Sequence, residues 1–451
     1  MSRSFTTVDY GATLAQQVRL DECLPADHLA RFIADVLGQL DFAAIYARYG
    51  ARGGRAYAPE VLFGLLVYGY ATGVFSARKI ERATYESAPF RLLAGNLHPD
   101  HDTIATFRRA FLGELKGLFV QVLLLAQELG VLQLGAISLD GTKVHADASK
   151  SKAVSYKRLW ELEAQLAAEV EALFALGERA DRGALADGLV VADELARRQE
   201  RLARLAEAKA VIEARAKERD AAEQAAYAAK LQEREAKARQ GGRPPRGKPP
   251  RPPTPGPRDK DQYNFTDPDS RIMKNSTDQG FDQHYNAQVA VEQDSLLIVG
   301  HSLSNHVNDY AEVVPTVAAI PPALGTPEAA ALDNGYFSEP NIRALEGRGI
   351  APYIATGRDA HRPGWPASCA GAPTPPAGAS LKERMAYTLT TACGRAIYRR
   401  RKCTVEPVIG SIKEVLGFRQ FSLRGLSAAL GEWGLVCLAW NLKRLHRLTL
   451  G

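Results

Sequence analysis

Residues 131–147 read VLQLGAISLDGTKVHAD, and this stretch constrains the fold more than any other. Ala136 to Leu139 are apolar or small, as a buried strand requires, and the strand delivers one carboxylate, Asp140. Asp-Gly predicts a tight turn, after which Lys143, Val144 and His145 resume an extended pattern, giving a hairpin with an acid at its lip. Taken alone, an Asp before Gly is more often a turn former than a catalyst.

The pattern recurs far along the chain. Ala329 to Leu332 is a second short apolar strand, and it ends in Asp333-Asn334-Gly335. Between the two lie a strand at residues 285–291, where Tyr285, Ala287, Val289 and Val291 alternate with Asn286, Gln288 and Ala290, and another at 296–302. Their short connection predicts an antiparallel pair. Residues 350–355 read as one more strand, residues 311–320 as a helix, and residues 361–379 as a Pro-, Gly- and Ala-rich loop.

Helical patterns surround these strands. Leu29, Phe32, Ile33, Val36, Leu37 and Leu40 fall at helical spacing, Pro59 opens another helix at its first turn, and residues 76–88 form a short amphipathic one. Residues 102–111 begin with an acid-Thr pair suited to capping and carry Arg108 and Arg109. Two short basic helices joined by a tight turn suggest a helix-turn-helix that contacts DNA; the plainer alternative is a helical subdomain whose arginines are solvated.

Immediately after the first hairpin the composition changes to Ala, Glu, Lys, Arg and Leu over residues 155–240. Leu159, Leu162, Leu166, Val170 and Leu173 make one apolar stripe and Leu195, Leu202, Leu205 and Ile212 a second, predicting a coiled helical hairpin. Such stripes find a partner, so the hairpin either dimerises the protein, clamps DNA or decorates the fold. Residues 241–258 then read GGRPPRGKPPRPPTPGPR, a basic Pro-rich linker that cannot hold a helix and is at least as well explained as a stiff spacer as a phosphate contact.

The last hundred residues are basic and helical. With Thr404 as N-cap, Glu406 sits in the first turn of a helix, amid Arg399, Arg400, Arg401 and Lys402, and Lys413 follows about two turns later on the same face. A long apolar helix over residues 426–445 closes the chain, with Trp433 and Trp440 as core residues. Asn334 reads as a turn residue, and His145, His284, His301 and His306 lack ligand spacing and read as structural.

The bulk properties exclude several classes. The 451 residues are 46% hydrophobic, enough for two or three domains, and 57 basic against 51 acidic side chains leave +6, compatible with nucleic acid without requiring it. Five scattered cysteines without a C-x-x-C pair predict reduced thiols. Neither a signal peptide nor a membrane span is evident, so a soluble protein of the cytosol is expected.

Three acids thus stand out: Asp140, Asp333 and Glu406. An all-carboxylate set suits two Mg²⁺ or Mn²⁺ ions, which together activate a water or sugar hydroxyl and stabilise the leaving oxygen of a phosphodiester. Flanking cations would offset the acids' repulsion of a polyanion.

The segments SLDGTKVHADASKSK, ALDNGYFS and TVEPVIGSIKEVLGFRQFSLRG resemble those of bacterial insertion-sequence transposases of the DDE class. In that family a basic residue precedes the glutamate by four and a lysine follows it by seven, positions held here by Lys402 and Lys413. Arginine is more usual at the first, and Arg399 stands where a tyrosine is expected, with Tyr398 beside it.

The resemblance implies a ribonuclease H-like mixed α/β sheet flanked by helices. It divides the chain into a helical DNA-binding domain (1–130), a discontinuous catalytic domain (131–154 and 261–451), the helical hairpin (155–240) and the linker (241–260). It also implies two metals on Asp140, Asp333 and Glu406, and DNA contacts from Lys413, with Lys402, Arg401, Arg108 and Arg109 as further candidates. The partners expected are terminal inverted repeats and target DNA, bound by a homodimer. A nuclease of the same fold that cuts without joining, and an inert DNA-binding descendant, are the alternatives.

Overall fold

The computed structural model describes residues 19–50, 56–180, 191–241, 248–275, 280–357 and 378–450. Its principal elements are helices α1 (Leu29–Leu37), α2 (Pro59–Thr72), α3 (Ala77–Glu86), α4 (His101–Ala110) and α5 (Leu112–Glu128), then strands β1 (Ala136–His145) and β2 (Ala153–Ser155). Helices α6 (Tyr156–Ala180) and α7 (Val191–Gly241) follow, then β3 (Gln262–Asn264), β4 (Arg271–Lys274), β5 (Phe281–Glu292), β6 (Ile298–Ser304) and β7 (Ala329–Leu332). The chain ends with α8 (Glu339–Glu346), β8 (Ala351–Ile354), α9 (Leu381–Thr390), α10 (Ala392–Gly410) and α11 (Leu426–Thr449).

The fold is mixed α/β, in two compact units. One comprises residues 1–147, 275–279 and 284–451, so the amino-terminal helices and the sheet cluster together; the other comprises 148–274 and 280–283. In the first unit the strands run in the order β6-β5-β1-β7-β8. The pairs β6–β5 and β5–β1 are antiparallel, whereas β1–β7 and β7–β8 are parallel. Strand β5 alone therefore runs against the others.

The hairpin expected at Asp140-Gly141 does not form. β1 runs unbroken through both residues, paired with β5 from Ile137↔Glu292 to His145↔His284. Gly141 is there for space rather than for a turn: a Cβ on it would lie 2.1 Å from Nε2 of Gln288. Nor does β5 present one wet face, because as an inner strand it is buried on both sides from Gln283 to Glu292, Asn286 and Gln288 included.

Helix α11 closes the unit by packing on α2, α5 and β6. Its buried polar side chains are spent on the backbone and on one ionic group. Trp433 donates to the Gln288 carbonyl (3.1 Å), Asn441 brackets both backbone groups of Ile298 (2.8 and 2.7 Å), and Glu432 accepts from the Tyr70 hydroxyl of α2 (2.8 Å). Arg108 of α4 donates to that hydroxyl (2.8 Å) and lies 3.7 Å from Glu432. Burial this deep is tolerable only because each charge has a partner.

Two expectations for the amino-terminal helices need correction. Between α3 and α4 stands a six-residue helix, Ala88–Leu93, instead of a tight turn, and the α4 cap is Asp100, which accepts from the Thr103 amide. Arg108 is enclosed in the core by the network just described, whereas Arg109 is exposed.

The second unit contains the expected helical hairpin, α6 and α7, with residues 181–190 outside the described ones. Leu159 and Leu166 meet Leu205, Ala208 and Ile212, and Val154 and Tyr263 of the two-stranded sheet β2–β3 seal the base. Arg219 Nη1 donates to both oxygens of Asp261 at 2.9 Å, and Arg258 at the end of the Pro-rich segment pairs with Glu223 at 2.7 Å. That segment is therefore anchored along α7 where it is described. The Pro- and Ala-rich loop expected at 361–379 lies almost wholly outside the described residues. Among the described residues, no single helix is long and apolar enough to cross a membrane, and Cys23, Cys393, Cys403 and Cys437 are free thiols.

Candidate active site

The parallel register between β1 and β7 sets the first two acids side by side. Ser138 pairs with Ala331, so two residues further along Asp140 stands level with Asp333, on strands that neighbour at about 4.8 Å. Asp333 lies just past β7, where its side chain caps a 3₁₀ turn, Asn334–Tyr336, by accepting from the Gly335 amide at 2.7 Å. Asp140 Oδ1 accepts from the Gly141 amide at 2.8 Å.

The third acid arrives on α10, which packs across β1, β7 and β8. This helix begins much earlier than the sequence pattern suggests. Its N-cap is Thr391, so Glu406 falls near its carboxyl end and not in its first turn. Thr404, the expected cap, is buried in mid-helix, where its hydroxyl bonds Ser138 Oγ of β1 at 2.7 Å and pins the helix to the strand. Pro407 inside the helix removes one donor, and the following turn, Ser411–Val415, is π-helical, a widening common at functional sites.

One guanidinium joins the acids. Arg401 Nη1 donates to Asp140 Oδ2 at 2.9 Å, and Nη2 donates to Glu406 Oε1 at 3.1 Å. Burial works against the Arg401 charge, but Asp140, Tyr398, Glu406 and Asp333 together hold its pKa above the ordinary value. Burial pushes the Asp140 carboxyl up to about 6, and Asp333 adds to this; Arg401 and the Gly141 amide pull the other way without prevailing. Arg401 is thus buried and ion-paired inside the site. In this structure its fork is engaged by two carboxylates.

Lys413, on the π turn, aims back at β1, where Nζ donates to Thr142 Oγ1 and to the Lys143 carbonyl, both at 3.1 Å. Burial lowers its pKa, helped by Arg419 and opposed by Glu414. A cleft of about 280 Å³ runs past Asp140, Glu406 and Lys413 to His145, His284 and Arg419. Its lining mixes acids (Asp140, Glu406, Glu414) with bases (Lys143, Lys413, Arg419), and Arg419 is ion-paired with Glu414. Lys402 is exposed on α10 and Arg109 on α4, and neither lines this cleft.

The donor chemistry suits a hard divalent cation, since all three candidates offer carboxylate oxygen. Among the described residues, however, no three His, Cys, Asp or Glu side chains already stand grouped as a metal site. Arg401 stands between Asp140 and Glu406 and supplies the positive charge there.

Sequence reasoning missed a layer beneath the acids. Gln288 Nε2 donates to Asp309 Oδ1 (2.8 Å) and Asn286 Oδ1 (3.1 Å), Asn286 Nδ2 donates to Asp309 Oδ1 (2.8 Å), and the Tyr336 hydroxyl donates to Gln288 Oε1 (2.6 Å). Asn286, Gln288 and Tyr336 are all fully enclosed. The available signal was the polar pair Asn286 and Gln288 in a strand otherwise made of Ala, Val and Tyr.

Against this geometry, the similarities to known proteins fall at the two ends of the chain. Residues 18–110 match a family described as a transposase domain, and residues 374–446 match a transposase DDE domain. The resemblance to insertion-sequence transposases of the DDE class is therefore shown, and the second region carries Glu406, Arg401 and Lys413, while Asp140 and Asp333 lie outside both. A curated relative from Burkholderia cepacia, named as a transposase for insertion sequence element IS402, is 41% identical over 66 residues. That alignment covers 13% of this chain and 31% of the relative, so the chain spans about a third of the relative it matches. No solved structure matches the chain.

Proposed function

We propose that the protein is a DNA transposase that uses Asp140, Asp333 and Glu406 to cleave phosphodiesters at the ends of a mobile element and to join the freed 3′ hydroxyls to target DNA. The observation that carries this reading is that acids scattered along the chain meet: Arg401 bonds both Asp140 and Glu406, and the parallel β1–β7 register brings Asp333 beside Asp140. The order β6-β5-β1-β7-β8 with a single reversed strand supports a ribonuclease H-like catalytic domain. The matched DDE region supports the assignment of Glu406.

Two Mg²⁺ or Mn²⁺ ions held by these carboxylates would supply Lewis acidity to the phosphodiester and lower the pKa of an attacking water or hydroxyl. The chain's own groups do the rest. Arg401 pairs with both Asp140 and Glu406 and offsets part of their repulsion. Lys413, with Lys143 beside it in the cleft lining, supplies positive charge that holds a phosphate near the acids, since a polyanion would otherwise be driven away. Exposed Lys402 and Arg109 are further phosphate contacts. Two element ends must be processed together, so a dimer assembles on DNA, with the α6–α7 hairpin as an assembly or clamping arm.

The test is cleavage and joining of a duplex that carries the element's terminal inverted repeat, with Mg²⁺ present. Wild-type protein should do both, and Asp140→Ala, Asp333→Ala and Glu406→Ala should do neither. Wild-type turnover by Glu406→Ala would sink the assignment, and cleavage without joining would make the protein a nuclease.

A further inference from the structure

We propose that Asp309 is a positioning residue: through the Gln288 amide it fixes the spacing of Asp140 and Asp333. The inference rests on the assignment of those two acids to catalysis.

The geometry is specific. The Gln288 amide lies flat against the α-carbon of Gly141, so near that a Cβ there would sit 2.1 Å from Nε2 and 2.9 Å from Oε1. Gly141 is the residue whose N–H holds Asp140. The oxygen of the same amide accepts from Tyr336, which closes the 3₁₀ turn that Asp333 caps. One side chain thus touches the backbone behind the first acid and the turn behind the second.

An amide can sit either way round, and its neighbours choose. A carboxylate only accepts, so Asp309 Oδ1 requires Nε2 to face it, which leaves Oε1 for the Tyr336 hydroxyl. Asn286 donates to the same Oδ1 and accepts from the same Nε2, so Asp309 is the acceptor at which the donor chains from Tyr336 through Gln288 and from Gln288 through Asn286 both terminate. Without that acceptor Asn286 Oδ1 is the remaining partner of Nε2 in this network, and Asn286 has itself lost the carboxylate that orients it, so the amide's hold on the Tyr336 hydroxyl and on the turn below Asp333 is weakened. Buried networks of this kind act as units, so partial satisfaction is costly. The second oxygen, Oδ2, stays outside these bonds and lies 3.9 Å from where a Cβ on Gly335 would be, with Asp333 Oδ1 at 3.1 Å from that same point.

The experiment compares full-length wild type with Asp309→Ala, Asp309→Asn and Tyr336→Phe. It follows cleavage of the end-bearing duplex, the dissociation constant for that duplex, and Mn²⁺ binding without DNA, read from the free-Mn²⁺ paramagnetic resonance signal. Misplacing a reacting group by an ångström costs on the order of 10²-fold in rate. Asp309→Ala should therefore lose about that much turnover and weaken Mn²⁺ binding at unchanged DNA affinity. Asp309→Asn, which keeps a carbonyl acceptor, should recover most of both. Tyr336→Phe should lower the rate, and adding Asp309→Ala to it should cost no more than the worse single change, since both act through one amide.

An Asp309→Asn protein as inactive as Asp309→Ala would overturn the proposal by making the charge itself the requirement. Wild-type Mn²⁺ binding and turnover in Asp309→Ala, or a loss confined to DNA affinity, would overturn it too. If Asp309→Ala does not fold, Asp309→Asn and Tyr336→Phe decide alone, with an unchanged Tyr336→Phe overturning the relay. A wild-type protein that binds Mn²⁺ but cleaves no DNA would refute the transposase reading and leave the Mn²⁺ comparison to judge Asp309.

Discussion

Replacing Asp140 by Asn should make the protein more stable near neutral pH while abolishing its proposed chemistry. The wild-type carboxyl titrates at about 6 in the fold against 3.8 as an ordinary Asp, because burial outweighs the Arg401 guanidinium. Its folded pKa is raised, so its stabilising contribution is complete below about pH 4 and is lost as the pH climbs through 6. The gap of about two units corresponds to roughly 3 kcal/mol between those limits. Asparagine has nearly the same shape, still accepts from Arg401 and cannot ionise. The stability of Asp140→Asn minus that of wild type should therefore grow by about 2 kcal/mol between pH 4.5 and 7.5 and be flat above. Urea unfolding of both proteins across that range, with chelator present, measures the difference and cancels every other titrating group. A difference that stays constant or shrinks with rising pH would refute the argument, because it would mean that Arg401 prevails over burial.

Other perturbations follow from the same contacts. Mn²⁺ at about a hundred times its dissociation constant should stabilise wild type by about 2.7 kcal/mol in thermal unfolding, and this gain should vanish in Asp333→Ala and Glu406→Ala; an equal gain in all three would place the ion elsewhere. Arg401→Gln strips two acids of their shared partner and should cost about 3 kcal/mol at pH 8 in urea unfolding, less below pH 6 where Asp140 holds its proton; a pH-independent loss would contradict the pairing. Gly141→Ala drives a methyl into the Gln288 amide and should cost about 2 kcal/mol by the same measurement, with slower cleavage; a neutral result would mean the strand yields freely. Tyr70→Phe removes the hydroxyl between Arg108 and Glu432 and should cost about 1–3 kcal/mol in calorimetry, with no change in Mn²⁺ affinity.

The strand positions were legible because apolar runs bounded by turn residues leave few choices: Ala329–Leu332 and the β5–β6 pair lie where the pattern puts them. Local signals failed where a long-range neighbour overrode them. Asp140-Gly141 has the chemistry of a turn, but the space beside Gly141 belongs to a glutamine from β5, and the strand continues. Thr404 has the chemistry of a cap, but its hydroxyl bonds Ser138, and the helix began at Thr391. Arg108 and Arg401 look alike in sequence to any surface arginine; only the fold reveals that Glu432 and Asp140 wait for them. Asp309 carried no motif, since what matters about it is which way round it holds an amide.

The antiparallel ladder of β1 and β5 ends at His145 paired with His284, and everything in the second unit lies between those two neighbours. To the ladder, that whole unit is a turn. Closing a loop grows costlier by only about 0.6 kcal/mol per doubling of its length, so the excursion burdens the sheet by about 3 kcal/mol relative to a four-residue connection. An architecture of this kind tolerates cargo. The excursion leaves and rejoins the ladder at one pair of residues, so its length can change without shifting the β1–β5 register.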